Sequence, residues 1–150
     1  MKISPVVFAA LLAAATLLAP PADARKKPAA CAPVIEHGWI RLLPGGMPMH
    51  AGFGTVENRC ANPATIVSVA SSAYGSIELH ETSRVDGVSR MRQIHQLPVA
   101  AKGNAVLQPG GLHLMLFDPA KPITAGEQVE LRFTLADGRE ITARFEARQP

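Results

Sequence analysis

Two histidines and two methionines set the chemistry of this 150-residue chain: His80, Met91 and the triplet His113-Leu114-Met115, spaced H-x10-M-x21-H-x-M. Imidazole nitrogen and thioether sulfur together suit a soft monovalent ion such as Cu(I), and hard cations avoid them. The other methionines sharpen the pattern. Met1 falls in a segment expected to be removed, and Met47 and Met49 adjoin a third histidine in Met47-Pro48-Met49-His50. Cores ordinarily use methionine as a flexible filler with no histidine partner. Taken singly, each of the four residues has an ordinary structural reading: a surface histidine, or one apolar side chain pointing inward. Their combination is what points to a metal. Met47, Met49 and His50 are candidate auxiliary ligands or a transient loading site; the alternative is a Pro/Gly-rich loop with incidental methionines. Glu81 is placed to orient His80 from behind, or is a plain exposed carboxylate. His37 and His95 read as solvent-facing.

The elements that must position these residues are short strands. Runs with partial alternation cover 34–42, 52–57, 65–70, 76–80, 88–94, 105–108, 112–117, 128–135 and 140–147. Between them lie Pro44-Gly45-Gly46, Asn62-Pro63, Asp86-Gly87, Pro109-Gly110-Gly111 and Asp137-Gly138. Strands at this spacing, broken by Gly, Pro, Asn and Asp, predict an all-β Greek-key sandwich or barrel. Asp137-Gly138 between two alternating runs predicts a hairpin. His80 ends one strand and Met91 lies in the next, so an antiparallel return across Asp86-Gly87 sets them roughly opposite each other. His113 and Met115 are two apart on one strand and share a face. A hairpin carrying His80 and Met91, facing a strand carrying His113 and Met115, closes an N2S2 site. Leu112, Leu114 and Leu116 would either shield bound Cu(I) or belong to the core.

Compartment decides whether copper is a plausible ligand. Met1-Lys2, an apolar run from about Val6 to Ala19 and Ala22-Asp23-Ala24 have the layout of a secretory signal peptide. Cleavage after Ala24 divides the chain into a leader (1–24), a linker (25–33) and one domain (34–147), exported and without stable membrane insertion. A lipidated Cys31 is the rival reading, disfavoured by the charges and proline of Arg25-Lys26-Lys27-Pro28 just before it. Cys31 and Cys60 are the two cysteines. In an oxidising compartment the pair suggests a disulfide, with free thiols or a metal role as alternatives.

The net charge is +3, and only seven aromatic residues occur, with no interleaving of aromatic and basic positions. That speaks against nucleic-acid binding. No nucleophile–base set or open hard-metal site is spaced for catalysis, so the chain does not read as an enzyme. A blue-copper electron carrier needs a cysteine ligand close to a histidine and a methionine, which neither cysteine supplies. A metal-free exported β-sandwich serving as an interaction or assembly module is the remaining competitor.

The motif resembles that of the PCu(A)C-type periplasmic copper chaperones, with all four positions intact at His80, Met91, His113 and Met115. The likeness extends to Trp39-Ile40-Arg41, Gly52-Phe53-Gly54-Thr55-Val56-Glu57-Asn58, His80-Glu81 and Pro109-Gly110-Gly111-Leu112-His113-Leu114-Met115-Leu116. It implies a cupredoxin-like fold and a periplasmic, monomeric protein that binds Cu(I) and delivers it to an acceptor, in the best-known role the CuA centre of cytochrome c oxidase. Scavenging or buffering of copper is the variant of that role. The chain lacks the His/Met-rich C-terminal tail of some members, and its cysteine pair is not required by the pattern.

Overall fold

The computed structural model describes residues 30–150; the expected leader, its cleavage site and residues 25–29 of the linker lie outside the described residues. Ten strands follow in order: β1 (Val34–Leu42), β2 (Met49–Asn58), β3 (Ala64–Ala70), β4 (Tyr74–Val85), β5 (Val88–Ile94), β6 (Leu97–Val99), β7 (Gly103–Leu107), β8 (Leu112–Pro119), β9 (Gln128–Leu135) and β10 (Glu140–Arg148). Expected and observed bounds coincide for β1, β5 and β9. β4 runs five residues past the expected end at His80 because it stays paired with β5 as far as Val85. The three-residue β6 was not expected: Pro98 at its centre and its brevity hide it from any alternation test.

The strands pair in the order β5-β4-β8-β7-β2-β1-β10-β9-β3-β6, and two further pairings, β8 with β2 and β3 with β4, close the ring. The result is the all-β barrel of a cupredoxin-like domain. β5 hangs outside that ring, bonded to β4 alone. Its turn at Asp86-Gly87 has positive φ at both residues (52° and 78°), the two-residue geometry whose twist matches flanking strands.

Strict alternation explains why the core sits where it does. In β9 the buried positions are Val129, Leu131, Phe133 and Leu135, with polar residues between them. Phe133 stacks on Phe145 of β10 at 6.1 Å between ring centroids, and Ile40, Leu114 and Leu116 join them with no exposed surface. Each such side chain contributes about 1.5–3 kcal/mol by leaving water. At Gly38 the β1–β2 register shifts. A Cβ there would sit 2.8 Å from the Phe145 ring, so only glycine lets β1 lie this close to β10.

Cys31 and Cys60 form a disulfide, Cα to Cα 5.8 Å. Of the readings open from the sequence, a bonded pair, free thiols or a metal role, the structure has the bonded pair. Asn58 anchors the corner. Its side-chain amide donates to the carbonyls of Asn62, Val99 and Ala100, while its oxygen accepts from the Cys60 amide. Asn58 is thus fully buried yet satisfied. Among the described residues no helix is long and apolar enough to cross a membrane.

Candidate metal centre

Strand register delivers the four expected ligands to one outward face of the barrel wall. His80 of β4 pairs directly with His113 of β8, and Met115 pairs with Glu78. Met115 also pairs with Ala51 of β2, which in turn pairs with Arg41 of β1. Residues two apart share a face, so Arg41, Ala51, Met115 and Glu78 form one row across four strands. His113 and His80 form the next row, with Phe53 beside them. Met91 completes the set from β5. The two-residue turn pairs it with Thr82 and leaves His80 opposite Gln93, so Met91 is diagonal to His80 rather than opposite it. A diagonal neighbour remains within reach of a side chain as long as methionine.

The imidazole rings of His80 and His113 lie 5.8 Å apart, centroid to centroid. His113 is buried, its Nδ1 2.9 Å from the Gly111 carbonyl oxygen. A carbonyl only accepts, so Nδ1 carries the proton and Nε2 keeps its lone pair. His80 is tied the other way round: its Nε2 is 2.8 Å from Oε2 of Glu78, so Nε2–H donates and Nδ1 keeps the lone pair. That Nδ1 is buried and has no hydrogen-bond partner among the described residues. A buried, unsatisfied nitrogen is costly unless something binds it. Each histidine thus has one nitrogen held by an acceptor and one open, as metal-ligating histidines do.

A cavity of about 200 Å3 opens here, lined by Met91, His113, Met115, Thr82, Phe53 and Arg41 among others; His80 is not among its lining residues. Of the two readings of the β8 leucines, the core is the one observed. Leu114 and Leu116, with no exposed surface, and the half-buried Leu112 face the core side of β8, because odd and even positions of a strand point to opposite faces. The apolar cover comes instead from Phe53, whose ring is 4.6 Å from Trp39 and 6.4 Å from His113. The Arg41 guanidinium lies 5.2 Å above the Phe53 ring, and its buried Nε has no hydrogen-bond partner among the described residues.

Glu81 does not support His80. It faces the other side of β4 and pairs with Arg92 at 2.6 Å. Glu78, two residues before His80 and therefore on its face, takes that role. Replacing Glu78 by alanine is expected to weaken Cu(I) binding roughly 10-fold, the lower end for loss of a ligand's outer partner, because Glu78 is partly solvated. Glu81→Ala should leave binding unchanged, and a chelator competition on both variants separates the two carboxylates.

The auxiliary trio is split by the same alternation. His50 pairs with Leu116 and faces inward, whereas Met49 pairs with Phe117 and faces the side of Met115. Met47 is exposed in the loop before β2. His37 and His95 are exposed, as expected.

Burial lowers the pKa of both His50 and His113; for His113 the nearby charges of His80 and Arg41 push the same way, against the Gly111 hydrogen bond. A histidine held below its ordinary 6.5 binds fewer protons folded than unfolded. Its stabilising contribution is therefore complete above pH 6.5 and declines as pH falls from there through the lower native value. The depressed carboxylates Glu57, Glu127 and Asp137 act only below their own ordinary range, near pH 4. Thermal melts of the metal-free protein should be flat from pH 8 to 7 and fall between pH 6.5 and 5; unchanged melting across that interval would contradict the assignment. His113 also stays neutral further into mild acid than an exposed imidazole, so proton competition at this ligand begins lower.

The LpqE-like family matches residues 34–147. A protein of Leifsonia xyli subsp. xyli described as a lipoprotein, Lxx21020, is 31% identical over 105 residues, 69% of this chain and 62% of its own length. Protein RP573 of Rickettsia prowazekii is 26% identical over 117 residues, 75% of this chain and 65% of its own. The chain therefore spans less than two thirds of either relative. The Cu(I) form of DR1885 from Deinococcus radiodurans superposes with TM-score 0.63 at 25% identity, covering 83% of this chain and 85% of that one. The copper-bound PCuAC domain of PmoF2 shares the fold, with TM-score 0.63 and 21% identity over 77% of this chain and 92% of that one. The chain belongs to the LpqE-like family and is of the PCuAC type.

Proposed function

We propose that this protein is an exported, non-catalytic Cu(I) carrier that binds one ion through His80, Met91, His113 and Met115 and passes it to an acceptor protein. The acceptor is the CuA-bearing subunit of cytochrome c oxidase or a factor that assembles it. The observation that carries this reading is the pair of oppositely tied imidazoles, each with one open nitrogen, on the face that also presents two thioethers. The copper-bound state of two structural neighbours supports it. The disulfide supports an oxidising compartment, here the periplasm, with residues 1–24 as signal peptide.

The ligand set explains both holding and release. The four donors are neutral; the Glu78 carboxylate behind His80 attracts the ion, and Arg41, which no salt bridge among the described residues occupies, repels it. Met91, 56% exposed on the outer strand β5, is the ligand placed to yield first to an incoming thiolate. A thioether leaves without taking up a proton, so the exchange requires no acid. Mixing the Cu(I)-loaded protein anaerobically with the metal-free CuA domain tests delivery. Copper should move to the acceptor; copper that stays with the donor would make the protein a buffer or scavenger.

A further inference from the structure

A second cavity, of about 680 Å3, lies where the loop before β2 meets the segment that ends β8. Met47, His50, Asp118 and Ile123 line it, and none of His80, Met91, His113 and Met115 does. His50 is only 7% exposed. Its Nδ1 is 2.8 Å from the Tyr74 hydroxyl, and Tyr74 does not line the cavity. Nε2 is therefore the ring nitrogen left to face it, and no hydrogen bond from the described residues reaches that atom. The Tyr74 hydroxyl can either donate to Nδ1 or accept from it, and a soft ion at Nε2 selects the tautomer in which Nδ1–H donates.

Met47, three residues earlier, lines the same cavity from an exposed loop position, its thioether free. The backbone around the pair is constrained. The Asp118 amide donates to the Pro48 carbonyl at 2.8 Å, and Asp118 itself holds φ of 52°. A non-glycine residue in that region stores strain that the surroundings must support, a feature concentrated at functional sites.

We propose that Met47 and His50 form a second site for a soft monovalent ion, Cu(I) or its redox-inert analogue Ag(I), separate from the four-ligand centre. An imidazole nitrogen and a thioether select soft ions. With fewer soft donors, this site binds more weakly and exchanges faster than the other. Met49, on the opposite face of β2, takes no part.

Ag(I) titration of the protein, followed by 15N shifts of the histidine rings, tests the proposal. The wild type should take up two equivalents. A His113→Ala/Met115→Ala variant should retain the weaker one, with the His50 ring nitrogens shifting as it fills. Adding Met47→Leu to that variant should weaken the remaining equivalent at least about 10-fold, as loss of a metal-site contact does, without touching the buried His50. An Ag(I)-silent His50, or a double variant that takes up no Ag(I), would overturn the second site. Were the four-ligand reading wrong instead, the wild type would take up a single equivalent, and that one at His50.

Discussion

Replacing His113 and Met115 together by alanine is expected to abolish competitive Cu(I) binding at the main centre. The two residues supply one nitrogen and one sulfur from a single strand, and what remains, His80 and Met91, lies on a hairpin with nothing to close the coordination. The loss should exceed the roughly 10–100-fold that removal of an outer partner costs a metal site. The fold should survive, because the core positions of that strand, Leu114 and Leu116, are untouched and fully buried. An anaerobic competition against a chromogenic Cu(I) chelator measures the affinity, and a thermal melt of the same sample confirms folding. A folded variant that competes as well as the wild type would remove these ligands from the account.

The second large effect is on stability. The Cys31–Cys60 bond closes a loop with a sequence separation of 29. Loop-closure entropy assigns a bridge of this span about 3.6 kcal/mol, through the freedom it removes from the unfolded chain. For a domain of this size that corresponds to roughly 10–15 °C in melting temperature. Cys31→Ser/Cys60→Ser, or the reduced wild type, should melt lower by that amount. Because the bridged corner is held independently by Asn58, the native fold should still form at ambient temperature. In the Cys31→Ser/Cys60→Ser variant Cu(I) affinity should be unchanged, since neither sulfur belongs to the centre; a parallel loss of copper binding would contradict that separation.

Much of the centre was legible because its information is local or periodic. The period of two puts His113 and Met115 on one face, and Asp86-Gly87 specifies the turn that returns Met91 towards His80. The same period could have identified Glu78 in place of Glu81: a residue two positions from a ligand shares its face, and the adjacent one does not. It also could have separated His50 from Met49 and turned Leu114 away from the candidate centre. Arg41 and Phe53 were beyond such reasoning. They reach the cavity through pairing of β1 with β2 and of β2 with β8, contacts between strands far apart in sequence whose register no local signal encodes. The barrel closure through β3 and β4 is non-local in the same way.

X-ray absorption at the copper edge of the Cu(I)-loaded protein, at one equivalent, tests the central assignment most directly. The account predicts a cuprous edge and a first shell containing both imidazole nitrogen and thioether sulfur, with the sulfur contribution lost in Met47→Leu/Met91→Ala/Met115→Ala. A shell of nitrogen or oxygen alone in the wild type, or one unchanged by that substitution, would contradict it.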